Sequence, residues 1–186
     1  MKKIIFIAGA TASGKSNLAI KLAKKNNGEI ISADSRQIYK NIPIFSGAIS
    51  KKEIKGVSHH LISFLEEENF FSVAEFQKKA EKKIYEIFKR NKIPIIIGGS
   101  SFYFSPLIYK NFLPNVKKNE KLREKLNKKN NEELFKILMK KDFKRAENID
   151  KQNRSRLIRS IEIAEELGEV PIIKKEIKDN YEIFFA

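Results

Sequence analysis

Short uninterrupted apolar runs alternate along this chain with longer segments in which apolar residues return every three or four positions, the pattern of buried strands separated by amphipathic helices. Residues 3–8, Lys-Ile-Ile-Phe-Ile-Ala, predict a short buried strand, and residues 17–25 predict a helix with Leu18, Ala19 and Leu22 on one face. Residues 29–34, Glu-Ile-Ile-Ser-Ala-Asp, predict a second strand that ends in a carboxylate. Val73, Phe76, Ala80, Ile84, Ile87 and Phe88 keep helical spacing through a segment rich in Lys and Glu, and residues 93–97 follow as a third buried strand. Strand, helix, strand in this order builds a parallel sheet with right-handed crossovers. Phe102, Tyr103 and Phe104 are read as core packing rather than as a platform for stacking bases. Residues 119–148 make a charged helical region with the apolar stripe Leu122, Leu126, Leu134, Phe135, Leu138 and Met139. Residues 154–167 predict another amphipathic helix closed by Gly168, and residues 181–185 a last strand; no internal repeat is apparent.

Between the first strand and the first helix stand Gly9, Ala10, Thr11, Ala12, Ser13, Gly14, Lys15 and Ser16, which match the pattern G-x-x-x-x-G-K-[ST] at every required position. Glycines let the backbone wrap a phosphate so that successive N–H groups and the helix N-terminus point at it; Lys15 adds a point charge and Ser16 a hydroxyl for Mg2+. The predicted fold class is therefore α/β, a P-loop NTPase-like parallel sheet flanked by helices, with a small helical insertion. The division expected is a P-loop core over residues 1–114, the insertion over 115–150, and a return to the core over 151–186.

Composition narrows the chemistry. Among 186 residues there is no cysteine, which removes disulfides, thiolate metal sites and cysteine nucleophiles and suits a reducing cytoplasm. Any metal is then an oxygen-ligated Mg2+. The apolar run near the N-terminus is too short for a secretory signal, and no run approaches a membrane span, so a soluble cytoplasmic monomer is expected. Lys and Arg number 38 against 23 Asp and Glu, a net charge of +15, and a cationic surface of that size attracts polyanions such as nucleic acid. Only seven of the 38 are Arg, the skew an AT-rich genome imposes without any binding purpose.

Three constellations carry candidate chemistry. Asp34, Ser35, Arg36 and Gln37 follow the second strand, where ligands bind in open parallel sheets. Asp34 could organise Mg2+ or act as a general base, while capping a helix is its plain structural use. Gly98, Gly99 and Ser100 end the third strand, permit close approach of a ligand and add a hydroxyl. Arg154, Arg156 and Arg159 collect three of the seven arginines within six residues, which suits bidentate phosphate recognition. His59 and His60 have no partner at metal-ligand spacing and are read as structural hydrogen-bonding groups.

Five ordered blocks, GATASGKS at residues 9–16, ISADSRQIY at 31–39, HHL at 59–61, PIIIGGSSFY at 94–103 and RLIRSIEI at 156–163, together resemble the bacterial tRNA dimethylallyltransferase family. The resemblance covers nearly the whole chain. It implies transfer of a dimethylallyl group from dimethylallyl diphosphate to the N6 amine of the adenosine beside the tRNA anticodon, with release of diphosphate. The loop of residues 9–16 would hold that diphosphate with Lys15 as a catalytic charge, and Asp34 would accept a proton from the attacking amine or orient it. Asp34, Ser35, Arg36, Gln37 and Ser100 would touch the anticodon stem-loop. So would Ser155, Arg156, Leu157, Ile158 and Arg159, and by a looser match Arg123. Mg2+ would bind Ser16, with Asp34 as a further ligand, and the insertion would face the tRNA.

Ala10 stands where the family usually has Pro, Ser100 where it has Thr, and Ser63 where it commonly has Asp. Family members also continue for roughly another third of their length, so a truncated, split or reduced protein is expected. Two other readings remain open on the residues alone. A nucleoside or nucleotide kinase would recruit Arg123 and Arg145 over a γ-phosphate, and a non-catalytic remnant would bind tRNA without turnover.

Overall fold

The apolar runs come together as a five-stranded parallel sheet in the computed structural model, which describes residues 2–10, 12–35, 37–40, 54, 56–66, 71–99 and 101–186. The strands are β1 (Lys3–Ala8), β2 (Gly28–Ser32), β3 (His59–His60), β4 (Ile93–Gly98) and β5 (Glu182–Phe185), in the spatial order β3-β2-β4-β1-β5. All four pairings are parallel, with Ala8 opposite Gly98, Ser32 opposite Ile97 and Lys3 opposite Glu182. β3 contributes only two residues and left no periodic signal in the sequence.

Alternation along the strands sends side chains to two cores. Ile4, Phe6, Ile31 and Ile96 meet Phe76, Ala80, Ile84 and Ile87 of α2 (Val73–Lys89) and Phe104 and Leu107 of α3 (Ser101–Ile108). Ile7, Ile30, Ile95 and Ile97 meet Ala19, Ile20 and Ala23 of α1 (Lys15–Lys25) on the other face. Each fully buried Ile or Phe contributes about 1.5–3 kcal/mol relative to exposure. The α1 face differs in part from the predicted one: Ala19 is buried and Leu22 packs against the cluster, but Leu18 is 40 % exposed and Ile20 and Ala23 complete the contact. Small side chains are needed there: a Cβ on Gly28 would stand 3.3 Å from Ala23 Cα. α2 starts at a capping box in which Ser72 and Glu75 satisfy each other's backbone N–H groups. The aromatic trio also divides. Tyr103 stacks on Phe76 with centroids 4.3 Å apart and Phe104 packs edge-on against Phe6, while Phe102 is 58 % exposed.

Residues 119–148 resolve into α4 (Glu120–Asn127), α5 (Asn131–Lys141) and α6 (Phe143–Glu147), each begun by a side-chain cap from Asn119, Asn130 or Asp142. These polar caps break the helix that the apolar stripe alone would continue. The chain separates into two units, Met1–Phe112 with Lys175–Ala186, and Leu113–Lys174. The second boundary therefore departs from the predicted return at residue 151. Leu157, Ile158 and Ile161 of α7 (Arg154–Leu167) pack with Leu126, Leu134, Leu138 and Ala146, so that helix shares the core of the insertion. Among the described residues no helix is long and apolar enough to cross a membrane.

Candidate active site

Three segments meet where β1, β4 and β2 end side by side. Ala33 N–H donates to Ile97 O at 2.7 Å, continuing the ladder one residue past β2. A Cβ on Gly98 would stand 2.3 Å from Ala33 O and one on Gly99 3.4 Å from Gly9 O. The phosphate-loop segment, the Asp34 loop and the Gly98–Gly99 turn are thereby held edge to edge. The close approach at Gly98 is to the backbone of Ala33, one residue past β2, where the register leaves no room for a side chain.

Within the loop Gly14 has φ 83° and Ala12 φ 64°, so two left-handed residues turn the chain back on itself. Ser13 N–H donates to Ala10 O at 3.3 Å, and Lys15 Nζ donates to the same oxygen at 2.5 Å. α1 starts at Gly14 with no side-chain cap and no acidic residue in its first turn. Neither the cap nor the first turn of α1 therefore supplies a side chain to neutralise its leading N–H groups and the positive end of its dipole, an arrangement suited to an anion. Lys15 and Ser16 are half-buried at this end; Thr11 lies outside the described residues.

Asp34 is half-buried and Ser35 exposed. Gln37 Oε1 accepts from the buried Ser32 hydroxyl at 2.8 Å, so this side chain is tied to β2. Arg36 and Ser100 lie outside the described residues. Tyr103 was read only as core, yet burial, with Tyr39 and the Asp34 charge adding to it, raises its hydroxyl above the ordinary tyrosine range. Its helical position gave no sign of that. The histidines are structural, as read: His60 Nε2 lies 2.6 Å from Glu29 Oε2, and His59 Nδ1 lies 2.8 Å from Val57 O. Burial lowers the His59 pKa.

In the helical unit Arg123, Arg154 and Arg159 serve protein partners. Arg123 donates to both oxygens of Glu162 at 2.9 Å, and Arg159 donates to Glu162 at 2.5 Å and to Val116 O at 2.9 Å. Glu162 also accepts the Asn119 N–H at 2.7 Å. Burial works to raise its pKa, but Arg123, Asn119 and Arg159 outweigh it and leave the carboxyl at about 2. Arg154 caps the end of α4 through the carbonyls of Leu126, Asn127 and Lys129. Leu157 and Ile158 are 0 % and 7 % exposed, so their side chains fill the helical core and are not available to a tRNA, contrary to the reading from the sequence. Ser155 and Arg156 remain exposed on the first turn of α7.

Residues 37–185 match the family model described as IPP transferase. A tRNA dimethylallyltransferase of Pediococcus pentosaceus is 43 % identical over 173 residues, 91 % of this chain and 56 % of that protein. One from a Thermoanaerobacter species is 40 % identical over 170 residues, 89 % of this chain and 54 % of that protein. Among solved structures, a eukaryotic dimethylallyltransferase acting on tRNA superposes with a TM-score of 0.86 at 30 % identity, over 100 % of this chain and 48 % of its own. The tRNA isopentenylpyrophosphate transferase of Bacillus halodurans gives 0.61 at 36 % identity, over 91 % and 57 %. The chain thus spans about half the length of the curated relatives it matches.

Proposed function

The chain belongs to the IPP transferase family, and on that premise we propose that it transfers a dimethylallyl group from dimethylallyl diphosphate to the N6 amine of the adenosine beside a tRNA anticodon. The observation that carries this reading is the meeting of the phosphate loop, the Asp34 loop and the Gly98–Gly99 turn at one sheet edge. An anion grip and a carboxylate are what the reaction needs in one place. The amine nitrogen bonds to C1 of the dimethylallyl group, the C1–O bond breaks with its electron pair leaving on diphosphate, and the amine proton passes to the Asp34 carboxylate. Lys15 and the N–H groups at the start of α1 offset the charge that grows on the leaving diphosphate. The target adenine must leave its stack, at a cost of a few kcal/mol.

Ser16 and Asp34 suit Mg2+, a hard ion that keeps waters and phosphate oxygens and needs few protein ligands; no cluster of three His, Cys, Asp or Glu is found among the described residues. When bound, Mg2+ would add to the charge neutralisation on diphosphate. Ser155 and Arg156, exposed on α7, support contact with tRNA; Ser35 and Arg36 are assigned to the same contact by their match to the family, and Ser100 by keeping the hydroxyl of the family's Thr. Arg123 and Arg159 would act in that contact from their place on Glu162. Family membership supports the transferase over the kinase reading.

The test is incubation of the purified chain with an unmodified anticodon stem-loop, dimethylallyl diphosphate and Mg2+, with prenylated adenosine scored by mass spectrometry. Product is expected, and Lys15→Ala and Asp34→Ala are each expected to slow its formation by on the order of 10²-fold or more. Absence of product with tRNA binding retained would replace this reading with that of a binding remnant.

A further inference from the structure

The histidine pair and the carboxylate that holds it have no part in the transfer chemistry. Glu29 lies at the start of β2, at the sheet edge away from the phosphate loop, with its side chain 4 % exposed. Its carboxylate accepts from His60 Nε2 at 2.6 Å and from Arg90 Nη2 at 2.7 Å and Nε at 3.2 Å, and pairs with Lys92 Nζ at 2.9 Å. Because an ionised carboxylate only accepts, His60 Nε2 must carry the proton, and because a carbonyl only accepts, His59 Nδ1 carries its own. Both rings are thus held in one orientation by these hydrogen bonds. β3 is locked to β2 at the pairs Ile30 with His59 and Ile31 with His60.

From that lock the chain follows a strained path. Leu61 has φ 57° and Ser63 φ 48°, two non-glycine residues in the left-handed region within three positions. Such residues persist only where the surroundings over-determine them. The turn they make lays residues 63–65 along residues 37–40. Ser63 N–H donates to Gln37 O at 2.8 Å, the Phe64 and Leu65 N–H groups both donate to Ile38 O at 2.9 Å, and Lys40 N–H donates to Leu65 O at 2.9 Å. Leu61, 9 % exposed, and Ile38, 1 % exposed, join the same core cluster. Gln37, the first residue gripped, is three positions from Asp34 and is also tied to Ser32.

We propose that residues 59–65 are a strap, anchored at its start by the His60 to Glu29 hydrogen bond, that sets the position of the Asp34 to Gln37 loop. His60 and Glu29 are positioning residues: they act on the transfer through the strap and touch neither substrate. The catalytic part of this inference rests on the transferase reading, while the mechanical part does not. Removing the imidazole leaves Glu29 still paired with Arg90 and Lys92, so His60→Ala leaves no uncompensated buried carboxylate.

Hydrogen exchange on the full chain tests the strap. In His60→Ala the amides of Ser63, Phe64, Leu65 and Lys40 are expected to exchange about tenfold faster or more, with those of β1 and β4 unchanged, because the strap opens locally. His60→Gln, which presents an amide N–H close to the imidazole Nε2 position, is expected to restore slow exchange. If the natural chain forms product, His60→Ala is expected to lower kcat about tenfold and leave KM for dimethylallyl diphosphate unchanged, since the loop carrying the base moves and the diphosphate grip does not. Unchanged exchange at Ser63 to Leu65, an equal rise across β1 and β4, or failure of His60→Gln to differ from His60→Ala would each overturn the strap. Absence of product in the natural chain would bear on the transferase reading alone.

Discussion

At Gly98 a single missing Cβ decides whether the site can assemble. Its two neighbours within 3 Å are the Ala33 carbonyl oxygen and carbon at 2.3 and 2.9 Å, backbone atoms that cannot swing away as a side chain would. Gly14 needs glycine for a different reason, a φ of 83° with nothing within 4 Å of the absent Cβ. The two therefore predict an order. Gly98→Ala is expected to cost about 3 kcal/mol, at the upper end of overpacking, and to part the β2 and β4 edges. Gly14→Ala is expected to cost about 1–2 kcal/mol, the strain of left-handed backbone alone. Urea unfolding of both variants measures this, and a larger loss at Gly14 would contradict the packing account. The sequence flagged both glycines through their motifs, but only the register of β2 against β4 says that Gly98 makes room for backbone.

The arginines of α7 show at the level of an element what a cluster in sequence conceals. Arg154, Arg156 and Arg159 looked like one phosphate-binding group, yet helical geometry sends them to three environments. Arg154 reaches the carbonyls at the end of α4, Arg159 joins Arg123 on Glu162, and Arg156 faces solvent. Glu162, at the foot of this arrangement, is 2 % exposed and was not singled out in the sequence. It holds Arg123 of α4, Arg159 of its own helix and the N–H of Asn119 at once. Removing a buried charge that compensates two others is severe. Because the Arg123 and Arg159 side chains are 27 % and 34 % exposed and partly screened by solvent, Glu162→Gln is expected to destabilise the helical unit by about 1–3 kcal/mol, read as a lowered urea midpoint, and an unchanged midpoint would show that the triad is not coupled to folding.

Over the whole molecule 38 Lys and Arg outnumber 23 Asp and Glu, and two of those carboxylates are buried among cations, Glu29 in one unit and Glu162 in the other. Each has its pKa lowered from 4.5 to about 2, where burial is opposed and outweighed by hydrogen bonds from its cationic partners and, at Glu162, a backbone N–H. A carboxyl whose folded pKa lies below its unfolded one adds stability above the unfolded value and loses it as protons bind the native state. Stability is therefore expected to fall between about pH 4.5 and about pH 2, and the fall should be shallower in Glu29→Gln and Glu162→Gln, as followed by thermal melting across that range. A slope identical to that of the natural chain in both variants would mean that other carboxylates govern acid unfolding.

Local pattern determined most elements of this chain and the match of residues 9–16 to a phosphate-loop motif. Apolar runs, helical periodicity and an eight-residue motif depend on neighbours a few positions apart, and such order is written along the chain. Pairing between distant segments decided the rest. β3 is too short to carry a period, and it is held by its backbone pairing with β2 and by Glu29, thirty-one positions from His60. α7 joined the insertion and not the sheet because its apolar face found Leu134 and Leu138. The site itself, Ala33 against Gly98 and Gly99 against Gly9, exists only once three strands lie in register, since hydrogen-bonded backbone, and not any residue's own propensity, fixes how closely those loops approach.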